Sequence, residues 1–169
     1  MSRTRIVALV VAAAIAALDQ LVGQLVTDRA DHLPWRIVSG VRIEIASNTG
    51  ISFSRFAGAG GWLIVAVALV CVGLVAGIWR GPSRYALPLG VVLGGALGNL
   101  IDRLRLGHVI DYVSIGPWPT FNLADVAIAV GAVLLVLRLL TAGGDGGTAP
   151  AERSSGAASA AAGRDQGRD

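Results

Sequence analysis

Lysine is absent from this chain, and all fourteen basic residues are arginine. Cysteine is almost absent. Cys71 stands alone inside an apolar stretch, so no internal disulfide can form and a zinc site built on cysteines is excluded. The only histidines, His32 and His108, have no second ligand at metal-binding spacing, so neither a metal nor another cofactor is expected. Charge is scarce, at 15% of residues, and a net charge of +3 without a dense basic stripe argues against a nucleic-acid partner. The charges that are present leave long runs almost free of them. With 54% hydrophobic residues, that distribution points to an integral membrane protein rather than a soluble domain.

Four apolar runs stand out, at about 6–26, 62–79, 85–104 and 123–140. Each is close to the roughly 20 residues a helix needs to cross the hydrocarbon core. The first run follows Arg3 and Arg5, as a signal peptide would, but continues past Asp19 without a small-residue cleavage site, so an uncleaved helix is expected. Trp62 and Trp79 bracket the second run as interfacial anchors do. Within the long first loop, 28–61, Val41-Arg42-Ile43-Glu44-Ile45 alternates with the period of a half-buried strand, and Arg36-Ile37-Val38 is its candidate hairpin partner. Residues 108–115 are also strand-like. The expected fold is therefore an all-α membrane protein of four transmembrane helices with a small β-sheet formed by the loops. Residues 1–142 form the membrane domain. The Gly-, Ala- and Ser-rich stretch 143–169 reads as a disordered tail.

Four crossings place both termini on one side. Arginine counts leave that side open: Arg3, Arg5, Arg80, Arg84, Arg138 and Arg153 balance Arg29, Arg36, Arg42, Arg55, Arg103 and Arg105. The tight turn Arg80-Gly81-Pro82-Ser83-Arg84 favours a cytoplasmic position for the terminal side.

Against this apolar background two acids are out of place. Asn99-Leu100-Ile101-Asp102 closes the third run, and Asn122-Leu123-Ala124-Asp125 opens the fourth. An ionisable group in a membrane segment is costly and marks a functional site by default. The topology puts both helix ends at one membrane face. Two carboxyls meeting there share a proton, and such a pair can activate water against a peptide carbonyl without a cofactor. Plainer readings stand beside this one. Asn122 with Asp125 is also a helix N-cap with an acid at N3, and Asp102-Arg103 is also an interfacial charge pair. Intramembrane acids serve transporters and proton relays too, though those favour midplane acids and repeated halves, neither of which is visible here. A purely structural membrane protein is a third possibility. Gly94, Gly95 and Gly98 serve either close helix packing or access for a substrate backbone.

Several motifs together resemble lipoprotein signal peptidase, the signal peptidase II family. They are Gly94-Gly95-Ala96-Leu97-Gly98-Asn99-Leu100-Ile101-Asp102-Arg103, Phe121-Asn122-Leu123-Ala124-Asp125, Asn48-Thr49-Gly50-Ile51-Ser52-Phe53 and Val109-Ile110-Asp111-Tyr112. Their order and spacing agree with the family over about 6–140. The resemblance implies an aspartic endopeptidase of the bacterial inner membrane that removes signal peptides from diacylglyceryl-modified prolipoproteins, cutting before the lipidated cysteine. It implies Asp102 and Asp125 as the catalytic dyad. Asn48, Gly50, Asn99, Arg103, Asp111, Asn122, Ala124 and Asp19 match positions that line or support the site. It further implies cytoplasmic termini, an extracytoplasmic first loop and active site, and partners limited to the lipidated substrate and membrane lipid, with a monomer expected. One departure is clear. The family's first helix continues Asp-Gln with Thr and Lys, whereas Asp19-Gln20 is followed by Val22 and Gly23, leaving Arg103 or Gln24 as replacement partners for Asp19.

Overall fold

The computed structural model describes residues 2–49 and 59–142. Gly50, the rest of 50–58 and the tail 143–169 lie outside the described residues. The elements follow in the order α1 (Arg3–Thr27), β1 (Trp35–Val38), β2 (Val41–Asn48), α2 (Ala59–Arg80), α3 (Ala86–Leu106), β3 (Val109–Ile115) and α4 (Leu123–Ala142). Single 3-10 turns occupy Ala30–His32 and Ser83–Tyr85. All four helices are long and apolar enough to cross a membrane, as the four apolar runs predict. The second begins three residues earlier than its first tryptophan suggests. Trp62 and Trp79 are both exposed near the ends of α2, where interfacial anchors belong.

Helix α3 is the hub and packs against α1, α2 and α4. In its apolar window 61% of residues are buried, against 22% or less in each of the others, so α3 lies inside while its neighbours turn valine and leucine toward lipid. The glycines explain how it fits. A Cβ at Gly90 or Gly94 would run into the α1 backbone at Ala8 or Ala12, and one at Gly95 would run into Ala124 on α4. Facing them, α1 presents the buried stripe Ala8, Ala12 and Ala16. Small residues on both helices let the backbones approach, which is how membrane helices gain packing contacts without a solvent driving force. Of the two roles open to Gly94, Gly95 and Gly98, helix packing is the one these contacts express.

The loops form a three-stranded antiparallel sheet in the order β1-β2-β3. Gly40, with φ +82°, makes the tight β1–β2 turn. The β2–β3 ladder runs from Val41↔Ile115 to Asn48↔Val109, but its register shifts between Ile43 and Ala46. That irregularity has a consequence for the site. Unbroken alternation would put Asn48 on the face of Arg42 and Glu44; the shift returns it to the face of Ile43, which is also the face of Asp111. At the start of β3, Gly107 (φ +78°) closes α3 by donating its N–H to the Arg103 carbonyl at 3.0 Å. The chain then enters β3 directly, which keeps the last turn of α3 beside the first residues of the strand. Phe121 pairs back onto Val113 just before α4 begins.

Candidate active site

The start of α4 sets the site. A helix leaves its first N–H groups without intrahelical acceptors. Here three side chains supply them, one from β3, one from α1 and one from the residue just before α4. Tyr112 Oη on β3 accepts Leu123 N–H at 3.0 Å, Asp19 Oδ1 on α1 accepts Ala124 N–H at 2.9 Å, and Asn122 Oδ1 accepts Asp125 N–H at 2.8 Å. Asp125 Oδ2 in turn receives the Asn122 N–H at 3.5 Å, the reciprocal capping arrangement that the Asn-x-x-Asp spacing predicts. Asp125 is therefore a cap residue as well as an exceptional acid.

Its other oxygen faces α3. Asn99 Nδ2 donates to Asp125 Oδ1 at 2.8 Å, and Asn99 Oδ1 accepts from Asn122 Nδ2 at 2.9 Å. The two asparagines thus clamp helix to helix, with Asn122 only 1% exposed and so shielded from competing water. Ala124 is fully buried, and a Cβ at Gly98 would lie 2.6 Å from Asp19 Oδ2 and 3.2 Å from Ala124 Cβ. No larger residue at 98 or 124 leaves room for this crossing.

Asp102 is engaged differently. Its Oδ1 accepts from Gln20 Nε2 at 2.8 Å and its Oδ2 accepts the Ile110 N–H at 3.1 Å. Both oxygens are committed, one to α1 and one to the start of β3. Among the described residues no hydrogen bond joins Asp102 to Asp125. Asp111, one residue beyond Ile110, is 2% exposed. Asn48 Nδ2 donates to its Oδ2 at 2.9 Å, while its buried Oδ1 has no hydrogen-bond partner among the described residues. Burial pushes the Asp111 carboxyl up to about 6; the Asn48 hydrogen bond and the Arg103 charge oppose this, and the charges of Asp125 and Asp102 reinforce it. Of the two neighbouring acids, Asp125 exerts the stronger effect. Tyr112, buried near Asp19, Asp102 and Asp111, is pushed up to about 12 by desolvation.

All the expected site residues within the described region come to this end of the bundle; Gly50 lies outside it. Arg103 donates to the Asn99 carbonyl at 3.1 Å, one helical turn back, and its Nε is buried without a hydrogen-bond partner among the described residues. The replacement expected for Asp19 is not what the structure contains. Gln24 turns away to Asp28 at 2.7 Å, and Arg103 stays on its own helix. Asp19 is satisfied instead by the Ala124 N–H and, at 3.5 Å, by Gln20 Nε2. Gln20 and Tyr112 are the functional side chains missing from the expected set. A carboxamide inside an apolar run is itself an expensive group and signals a buried partner; Tyr112 carries no comparable signal, because its partner is a backbone N–H at the start of α4.

Comparisons with known proteins identify the family and the fold. A family model described as signal peptidase (SPase) II matches residues 11–141. Among similar curated proteins, the lipoprotein signal peptidase of Rhodococcus jostii (strain RHA1) is 40% identical over 149 residues, covering 80% of this chain and 73% of the relative. That of Methylorubrum extorquens (strain PA1) is 40% identical over 144 residues, covering 80% and 84%. A solved structure described as a bacterial membrane enzyme structure by the in meso method superposes with a TM-score of 0.74 at 19% identity, covering 86% of this chain and 94% of that one. A second of the same description has a TM-score of 0.73 at 21% identity, covering 79% and 92%. At these identities the two structures speak to the fold alone.

Proposed function

The chain belongs to the signal peptidase II family, and from that membership we propose a membrane aspartic endopeptidase that cleaves diacylglyceryl-modified prolipoproteins just before the lipidated cysteine. Removal of signal peptides from lipoproteins, by a multi-pass membrane protease, is the family's activity. The bacterial inner membrane, cytoplasmic termini, an extracytoplasmic site and a monomer complete the proposal. Orientation is supported by the end of the bundle opposite the site. There Arg5 donates to the Gly81 carbonyl at 3.3 Å, gathering it with Arg80 and Arg84 into the basic turn expected inside.

The sequence motifs point to Asp102 and Asp125 as the dyad; the hydrogen bonding favours a different division of labour, with Asp111 and Asp125 as the reacting pair and Asp102 as their support. The single observation that carries this reading is the buried Oδ1 of Asp111, which has no hydrogen-bond partner among the described residues. A reacting carboxyl must keep an oxygen for water or substrate, and both oxygens of Asp102 are already taken. The electrostatics support the same choice, since Asp111 responds more to Asp125 than to Asp102 and holds its proton up to about 6. In the reaction Asp125 takes a proton from water as its oxygen attacks the scissile carbonyl carbon, and Asp111 gives its proton to the carbonyl oxygen. Collapse of the resulting gem-diol breaks the C–N bond: Asp125 passes its proton to the leaving nitrogen, and a hydroxyl proton returns to Asp111. Two acids whose proton alternates in this way need no metal.

The test uses full-length protein in detergent with a diacylglyceryl-modified prolipoprotein and chelator present. Asp111→Asn and Asp125→Asn are expected to lower kcat by about a thousandfold or more, the scale on which enzymes lose chemistry with an essential group. Asp102→Asn keeps the Ile110 N–H acceptor and loses a smaller factor. If Asp102→Asn is dead while Asp111→Asn cleaves, the original pairing of Asp102 with Asp125 is restored.

A further inference from the structure

Helix α1 has no basic residue in its last turn, and a guanidinium reaches its site-facing side from another helix. Arg105, exposed in the last turn of α3, donates from Nη1 to Gln20 Oε1 at 2.9 Å, across 85 positions of sequence. A carboxamide has one acceptor oxygen and a two-hydrogen donor. With Oε1 held by the guanidinium, Nε2 is aimed inward, toward Asp102 Oδ1 at 2.8 Å and the Gly98 carbonyl at 3.3 Å. Asp102 then uses its remaining oxygen on the Ile110 N–H at 3.1 Å, immediately before Asp111.

We propose that Arg105 is a positioning residue for the peptidase reaction, acting through Gln20 and Asp102 to hold the start of β3, and with it Asp111, against the end of α3. Two features give it this work. Hydrogen bonds in series polarise one another, so a charged donor on Oε1 strengthens the Nε2–H bond to Asp102. It also adds positive charge at the rim of a site where Asp19, Asp102, Asp111 and Asp125 converge, while Arg103 is directed to the Asn99 carbonyl. Without Arg105 the carboxamide regains rotation about its last torsion, and the Asp102 carboxylate loses the restraint that keeps it under Ile110. The proposal rests on Asp111 being one of the reacting pair.

The experiment couples lipopeptide kinetics with amide hydrogen exchange on the full-length protein in micelles. Arg105→Met is expected to lower kcat about fivefold with KM little changed, and to speed exchange of the Ile110 amide by a similar factor. Arg105→Lys, which still offers a charged donor to Oε1, is expected to recover at least half of both effects. In a Gln20→Met background Arg105→Met has no further effect if the relay runs through Gln20. Wild-type kcat and Ile110 exchange in Arg105→Met overturn the proposal, as does an undiminished fivefold loss in the Gln20→Met background. Should Gln20→Met fail to fold, the exchange contrast between Arg105→Met and Arg105→Lys decides alone. Exchange at Ile110 does not depend on which acids react, so an active Asp111→Asn protein would refute the proposed pair while the exchange data judged the relay separately.

Discussion

Replacing Asn48 with alanine removes the carboxamide that donates to Asp111 Oδ2 at 2.9 Å. A hydrogen bond to the ionised form of an acid holds its pKa down, so removing it lets the pKa rise. Hydrogen bonds to charged groups contribute about 1.5–3 kcal/mol, and each pKa unit corresponds to about 1.4 kcal/mol, which brackets the rise at about one to two pH units. Asn48 is exposed while Asp111 is buried, so water entering the vacated space recovers part of the bond and the lower figure, about one pH unit, is expected. The wild-type carboxyl, at about 6, gives up its proton as pH rises through that value, and with it the singly protonated acid pair. The alkaline limb of kcat/KM therefore starts near 6 in the wild type and moves upward in Asn48→Ala. The assay is the pH dependence of kcat/KM for a lipidated peptide in micelles, read as the position of the limb rather than its height, because only the position reports the Asp111 proton. A limb that stays in place, or moves to lower pH, refutes the placement of Asp111 in the proton-holding role.

Asp111→Asn is expected to raise Tm at pH 8 relative to wild type. The unfolded carboxyl ionises near 3.8 and the folded one near 6, so wild-type stability falls as pH rises between them, and the mutant's gain, about 3 kcal/mol at most, fades below that window. Gly98→Ala forces a Cβ against Asp19 Oδ2 and Ala124, and overpacking of this kind costs about 1–3 kcal/mol; a lower Tm with most cleavage lost is expected, whereas Gly73→Ala, with open space at its Cβ, leaves Tm unchanged or higher. Tyr112→Phe strips the acceptor from the Leu123 N–H, and a thermal scan is expected to show a loss of about 1–3 kcal/mol without movement of the alkaline limb.

The membrane class, the four helices, the hairpin and the cluster of motif residues at one end of the bundle were all legible from the chain before any packing was known. Those features are local: hydropathy, a period of two, and an Asn-x-x-Asp cap are each written within a few consecutive positions. Tertiary structure decided which acid does what. Asp102 and Asp111 are both acids beside a helix end, and nothing in their neighbours along the chain separates them. What separates them is who reaches their oxygens: Gln20 from α1 and Ile110 from β3 for Asp102, and, among the described residues, Asn48 alone, brought to the right face by a register shift in β2, for Asp111. The same holds for Asp19, whose partner at Ala124 lies 105 positions away, and for Arg105, which meets Gln20 only because α3 packs on α1. A carboxyl's chemistry depends on its donors, its burial and nearby charge, and in a bundle those are set by helix packing between distant segments.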